Sequence, residues 1–204
     1  MTIPSKTPQA NPRSFLPTFF HPLRASTLAL CLVLGLAAPA SAQETQTRAT
    51  APAPTGFVAE FLADHARLED RFLSLAEAIP AERYDWRPAE GVRSVAEVLL
   101  HIAQVNLLSA QGAGVPLPEG LPEDPTQITD KGQIVKLLAT SFQLTTGAAR
   151  GLAAAGLDLD QPPPGSDQGS LRGAMVQLNT HAAEHLGQLV AYARVQGVVP
   201  PWSR

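Results

Sequence analysis

The stretch NTHAAEHLGQLVAYARVQG, Asn179–Gly197, decides how the rest of the chain is read. With Ala174 and Leu178 before it, the residues His181, His185, Leu189 and Tyr192 recur every three or four positions. That is the period of an α-helix with one face turned inward. Gly197 and the pair Pro200-Pro201 stop it. Two imidazoles four residues apart lie just over one turn apart and project from nearly the same face, the geometry of a chelating pair. A helix with histidines on its inward stripe needs neighbours to cover the stripe and to supply further ligands.

Three more segments supply such neighbours. Phe61, His65, Leu68, Phe72, Leu75 and Ile79 form one stripe, and Pro80 ends that helix. After the connector AERYDWRPAEGVR, the segment SVAEVLLHIAQVNLLSAQ opens on Ser94 with Glu97 three residues on, a capping box. Its stripe is Val98, His101, Val105 and Leu108. A third helix is expected from about Asp130, carrying Ile134, Leu137, Ser141, Leu144, Ala148 and Leu152. GLDLDQPPPGSDQG breaks it, and the fourth helix starts near Ser170. No strand-like alternation and no internal repeat is present. The expected fold is all-α, an antiparallel four-helix bundle whose facing side chains build sites in the core. The connection GAGVPLPEGLPEDPTQIT between the second and third helices is long for a bundle. It is expected to cover one end, where a site could lie.

Residues 1–42 stand apart. They hold Lys6, Arg13 and Arg24, no acidic residue, then the apolar run ASTLALCLVLGLAAPA and the tripeptide Ala40-Ser41-Ala42. This is the pattern of a secretory signal peptide with cleavage after Ala42. The run is shorter than the roughly 20 residues that span a bilayer, so no membrane span is expected after processing. Leu30 is too large for the position before a lipidated cysteine, and apolar residues continue past Cys31. The protein is therefore expected to be exported, periplasmic or secreted. Residues 43–56, QETQTRATAPAPTG, read as a flexible linker, and 57–204 as one domain.

Charge and cysteine content narrow the chemistry. The full chain has net charge −3, and without the leader about −6. An acidic chain with no basic face excludes nucleic acid as the expected partner. The only cysteine, Cys31, leaves with the leader, so the mature chain has no disulfide and no thiolate ligand or nucleophile.

Four histidines remain: His65, His101, His181 and His185. All sit on apolar stripes, although a buried imidazole needs partners for both nitrogens. His181 and His185 with His101 as third ligand would hold one divalent transition metal and leave coordination positions open, which suits catalysis more than structure. Imidazole ligation fits zinc, nickel, iron or copper without choosing among them. His65 reads as a core histidine or as a donor that supports the ligands from behind, with a fourth ligand as the other reading. HAAEH also matches the inverted zinc-protease pattern H-x-x-E-H, with Glu184 as general base. That class takes an acidic ligand well downstream. The 19 residues after His185 contain no Asp or Glu, which argues against it. Glu184 remains the one catalytic candidate, either an acid/base group or a solvated flank residue. Glu97 can orient His101 or simply cap its helix. Trp86 reads as an anchor for the connector, and Arg93 and Arg194 as surface or capping residues or holders of an anionic substrate.

Two stretches, YDWRPAEGVRSVAEVLLHIA and THAAEHLGQLVAYARVQGVVPP, together resemble the DinB family (DinB/YfiT-like proteins) over most of residues 57–202. The first is similar to the family's aromatic-x-Pro, Gly-x-Arg-Ser and Glu-x-x-x-His pattern. The second is similar to its H-x-x-x-H-x-x-Q helix followed by an arginine, a glycine and Pro-Pro. The resemblance implies a four-helix bundle, often a homodimer, with a metal held by His101, His181 and His185. It also implies thiol chemistry, since characterised relatives are thiol-dependent transferases and an isomerase in which the metal lowers the pKa of the thiol. Those relatives are cytoplasmic, whereas this chain carries an export signal, and reduced small thiols are scarce outside the cytoplasm. Two functional classes remain. One is an exported metal-dependent enzyme, thiol-transferase-like or hydrolytic, acting on a small molecule. The other is a non-catalytic metal- or ligand-binding bundle.

Overall fold

The computed structural model describes residues 53–122, 124–162 and 169–203. The expected leader, its cleavage site after Ala42 and residues 43–52 of the expected linker lie outside the described residues. Four long helices carry the fold: α1 (Gly56–Ala78), α2 (Val95–Gly112), α3 (Lys131–Ala154) and α4 (Leu171–Val195). Among the described residues there is no strand.

Helix starts follow side-chain chemistry. The first backbone N–H groups of a helix have no partner within it, so a preceding oxygen fixes where it begins. Ser94 accepts from the Glu97 N–H and the Glu97 carboxylate accepts from the Ser94 N–H, the full capping box. Asp130 accepts from the Gln133 N–H and Ser170 from the Gly173 N–H. At the far end of α4, Gly197 adopts φ +78°, a conformation open to glycine at little cost.

Contacts at the helix ends fix the direction of each helix. Arg172 of α4 lies over the ring of Phe57 in α1, and Arg71 of α1 lies over Trp202 after α4. So α1 and α4 run the same way. The Lys131 ammonium at the start of α3 donates to the Glu77 and Ile79 carbonyls where α1 finishes. Just before α2, Trp86 meets Tyr192 near the end of α4, and the Arg83 guanidinium donates to the Gln196 carbonyl. The bundle expected from the sequence is present, with antiparallel contacts between α1 and α3 and between α2 and α4. Its remaining contacts, α1 with α4 and α2 with α3, are parallel. A parallel successive pair requires the chain to return along the bundle. The connection after α2 therefore runs alongside the helices instead of covering one end. Its 3-10 turn Pro125–Gln127 lies against α2.

The α1 stripe is buried as expected, with Phe72, Leu75 and Ile79 fully enclosed. They pack with Leu99, Ile102, Ile134, Leu138, Phe142 and Leu189 in the main core. A smaller cluster of Val58, Phe61, Ala149, Met175 and Leu178 closes the end where α1 and α4 begin. Two stripe expectations need correction. Leu108 is 59% exposed, and Ala174 is exposed while Met175 is buried. The buried arc of α2 is centred on Leu99, Ile102 and Asn106, because α3 and α4 grip it from two sides. The line Val98–His101–Val105–Leu108 is the edge of that arc, and it runs out of the core towards Leu108.

Between the parallel helices lies a buried polar knot. The Asn106 amide donates to Ser141 Oγ, which donates to the Leu138 carbonyl, and Thr145 Oγ1 donates to the Ser141 carbonyl. Each of these buried side chains finds a partner inside the protein, as burial demands.

Candidate metal centre

His101 sits in the first half of α2, on the edge of its buried arc. His181 and His185 sit one turn apart in the middle of α4, and the antiparallel packing of α2 on α4 turns all three rings to one point. His101 Nε2 and His181 Nε2 face each other at 3.0 Å. The three ring centroids are 4.7–5.0 Å apart, and one ligand nitrogen from each lies within 4.8 Å of the others. Two unprotonated nitrogens this close oppose lone pair to lone pair, so the contact requires a proton or a cation between them. In a tetrahedral site with metal–nitrogen bonds near 2.05 Å, ligand nitrogens stand roughly 3.3 Å apart. The cluster matches that scale, and its donor set of three imidazoles fits a borderline transition-metal ion. Among the described residues this is the group of histidine, cysteine or acidic side chains able to hold an ion.

Electrostatics favour the ligating form. Burial pushes the pKa of His101 down to about 4, with the Arg93 charge and then the other two histidines adding to it. His181 is also lowered, by burial first and by His185 next, with Glu184 pulling the other way. Both rings are neutral at pH 7, which spares a metal the cost of displacing protons.

His185 is held from behind. Its Nδ1 pairs with Gln188 Oε1 at 2.7 Å, and Gln188 Nε2 donates to the Tyr192 hydroxyl at 2.6 Å. Because a glutamine oxygen only accepts, Nδ1 carries the proton and Nε2 is free to ligate. Tyr192 in turn packs edge to face with Trp86, 5.4 Å between centroids, so the connector anchor also braces the site. Gln188 and Tyr192 were not picked out from the sequence as supports. The usable signal was Gln188 three residues after His185, on the same face.

The other candidates fall elsewhere. His65 is fully buried between Phe61 and Phe142, and its Nδ1 pairs with Asn179 Oδ1 at 2.8 Å. Among the described residues no hydrogen bond of normal geometry reaches its Nε2. Burial lowers its pKa, with Asn179 and the nearby Phe142 backbone opposing. It is a core histidine outside the ligand group. Glu184 is exposed on the flank of α4, within electrostatic reach of His181. Glu97 is occupied by the capping box and by Arg87, whose Nη2 donates to Glu97 Oε1 at 3.1 Å. Arg194 is exposed in the last turn of α4.

An open cleft of about 580 Å³ reaches His101 from the solvent. Its walls come from the connector (Arg87, Val92, Arg93), from α2 (Leu100, Gln104) and from the returning loop (Thr126, Gln127). The long loop thus borders the site from the side.

Comparison with known proteins agrees with this geometry. The family model described as the DinB superfamily matches residues 64–189, a span that contains all three histidines. A search of the curated proteins finds no match.

Proposed function

The chain belongs to the DinB superfamily, and on that footing we propose that it is an exported, metal-dependent enzyme in which His101, His181 and His185 hold one divalent transition metal, zinc, nickel or iron. The single observation that carries the reading is the convergence of three imidazoles from α2 and α4, one of which, His101, lines an open cleft. A structural metal site is normally closed by four protein ligands, whereas three ligands beside a cleft leave room for a reactant.

A metal bound there supplies a Lewis acid that lowers the pKa of a bound thiol or water. The chain's own residues do the rest. Gln188 keeps the Nδ1 proton on His185, and Tyr192 and Trp86 keep Gln188 in place. Burial holds His101 and His181 in the neutral form. Two reaction types fit, transfer of a small thiol and hydrolysis. In the hydrolytic case Glu184, exposed beside His181, is the available base. Export rests on residues 1–42, and the homodimer on the family resemblance.

The test is to express residues 43–204 without tag or chelator and to measure bound metal by mass spectrometry beside His181→Ala. About one metal per chain, lost in the variant, supports the site. No metal in either favours the rival reading, a non-catalytic binding bundle. Given a metal, Glu184→Gln should keep it and lose hydrolysis of activated esters if the enzyme is hydrolytic, and should leave thiol transfer intact if it is not.

A further inference from the structure

The cleft above His101 carries two arginines in different states. Arg87 is committed: Nη1 donates to the Val92 carbonyl at 3.1 Å and Nη2 to Glu97. Both carboxylate oxygens of Glu97 are likewise taken, one by Arg87 and one by the Ser94 N–H. Arg93 lines the same cleft, and among the described residues no carboxylate lies within ion-pair distance of it. A guanidinium on the wall of a cleft that reaches His101 weakens that site's hold on a cation, so its position works against metal binding alone. The opposition is relieved when an anion enters the cleft.

We propose that Arg93 is the anchor for a carboxylate on the small molecule that binds at the metal, so that the site selects organic acids whose other end carries a metal-binding donor. The inference rests on the metal reading above and names the substrate class for it. One uncommitted guanidinium matches a monoanion in charge, and its two parallel N–H groups match the two oxygens of a carboxylate. A phosphate dianion would call for more donors than the cleft offers, because Arg87 is already engaged. Gln104, Thr126 and Gln127 add polar side chains to the same cleft, and Val92 and Leu100 offer an apolar wall for a short carbon chain.

The experiment uses the processed chain with cobalt in the site and follows the thiolate absorption band on titration with three short thiols. These are 3-mercaptopropionate (carboxylate), 2-mercaptoethanol (neutral) and cysteamine (cation). Metal content is measured on the same samples. The expected result is that the carboxylate binds about tenfold or more tighter than the neutral thiol, the scale of one charge-assisted interaction, with cysteamine weakest. In Arg93→Gln that preference should shrink to about twofold or less with the metal still bound. Arg93→Lys should keep part of it, and Arg194→Gln all of it. Equal binding of the three thiols, or a preference that survives Arg93→Gln, overturns the proposal while leaving the metal centre standing. Failure to take up cobalt overturns the metal reading itself, and this inference with it.

Discussion

Gln188 shows how much one side chain outside the ligand set decides. Without its oxygen, His185 can carry its proton on either nitrogen and its ring can turn. Gln188→Ala should therefore weaken metal binding by about 10–100-fold, read by competition with a chelating dye, with little change in helicity. His65 makes the opposite case. Replacing it with Ala opens a cavity between Phe61 and Phe142 and strands the Asn179 oxygen. A stability loss of about 2–4 kcal/mol in urea unfolding is expected, with metal stoichiometry unchanged. A metal loss like that of His181→Ala would make His65 a ligand. The sequence placed all four histidines on inward faces, but a stripe does not say whether a residue lies at its centre or on its margin. His65 turned out central and fully buried. His101 turned out marginal, and that margin is what brings it to the cleft.

At the scale of the elements, the capping residues were the most legible feature. Ser94, Asp130 and Ser170 act locally, and local chemistry is written in adjacent residues. Removing the box with Ser94→Ala should cost about 1 kcal/mol and fray the first turn of α2, visible as faster amide exchange at Val95–Val98. His101 lies two turns further on, so metal affinity should fall less than in Gln188→Ala. Helix direction was not legible in the same way. Whether α3 runs with α2 or against it depends on the path of the connecting loop, and no periodicity inside α3 encodes that path. Polar residues buried between the pair, Asn106 with Ser141 and Thr145, read as breaks in an apolar pattern until their mutual bonds are seen.

For the molecule as a whole, the lowered histidine pKa values couple stability to pH. His65, His101 and His181 bind protons more weakly when folded than when unfolded, where the ordinary value is 6.5. The unfolded state therefore takes up more protons as pH falls, and their contribution to stability is complete above about 6.5. For His101 it is lost progressively down to about 4. The metal-free protein should melt at steadily lower temperature from pH 7 to pH 4, followed by circular dichroism. Metal at about a hundred times its dissociation constant should add roughly 2.7 kcal/mol at pH 7. For a domain of this size that raises Tm by about 5–10 °C. The increment should fade in acid as the ligands protonate.

The returning loop has slack. To run back along α2, 18 residues long, the chain must cover roughly 27 Å, which about eight extended residues can do. The segment from Ala113 to Asp130 is more than twice that length. The surplus does not serve connectivity; it lays Thr126 and Gln127 on the wall of the cleft that reaches His101. Closing the chain and shaping the entrance are thus separable jobs within one segment. The entrance can be lengthened, shortened or rewritten while the four helices and their histidines stay as they are. In such a scaffold, new substrates can be reached by editing a loop, with the metal chemistry inherited intact.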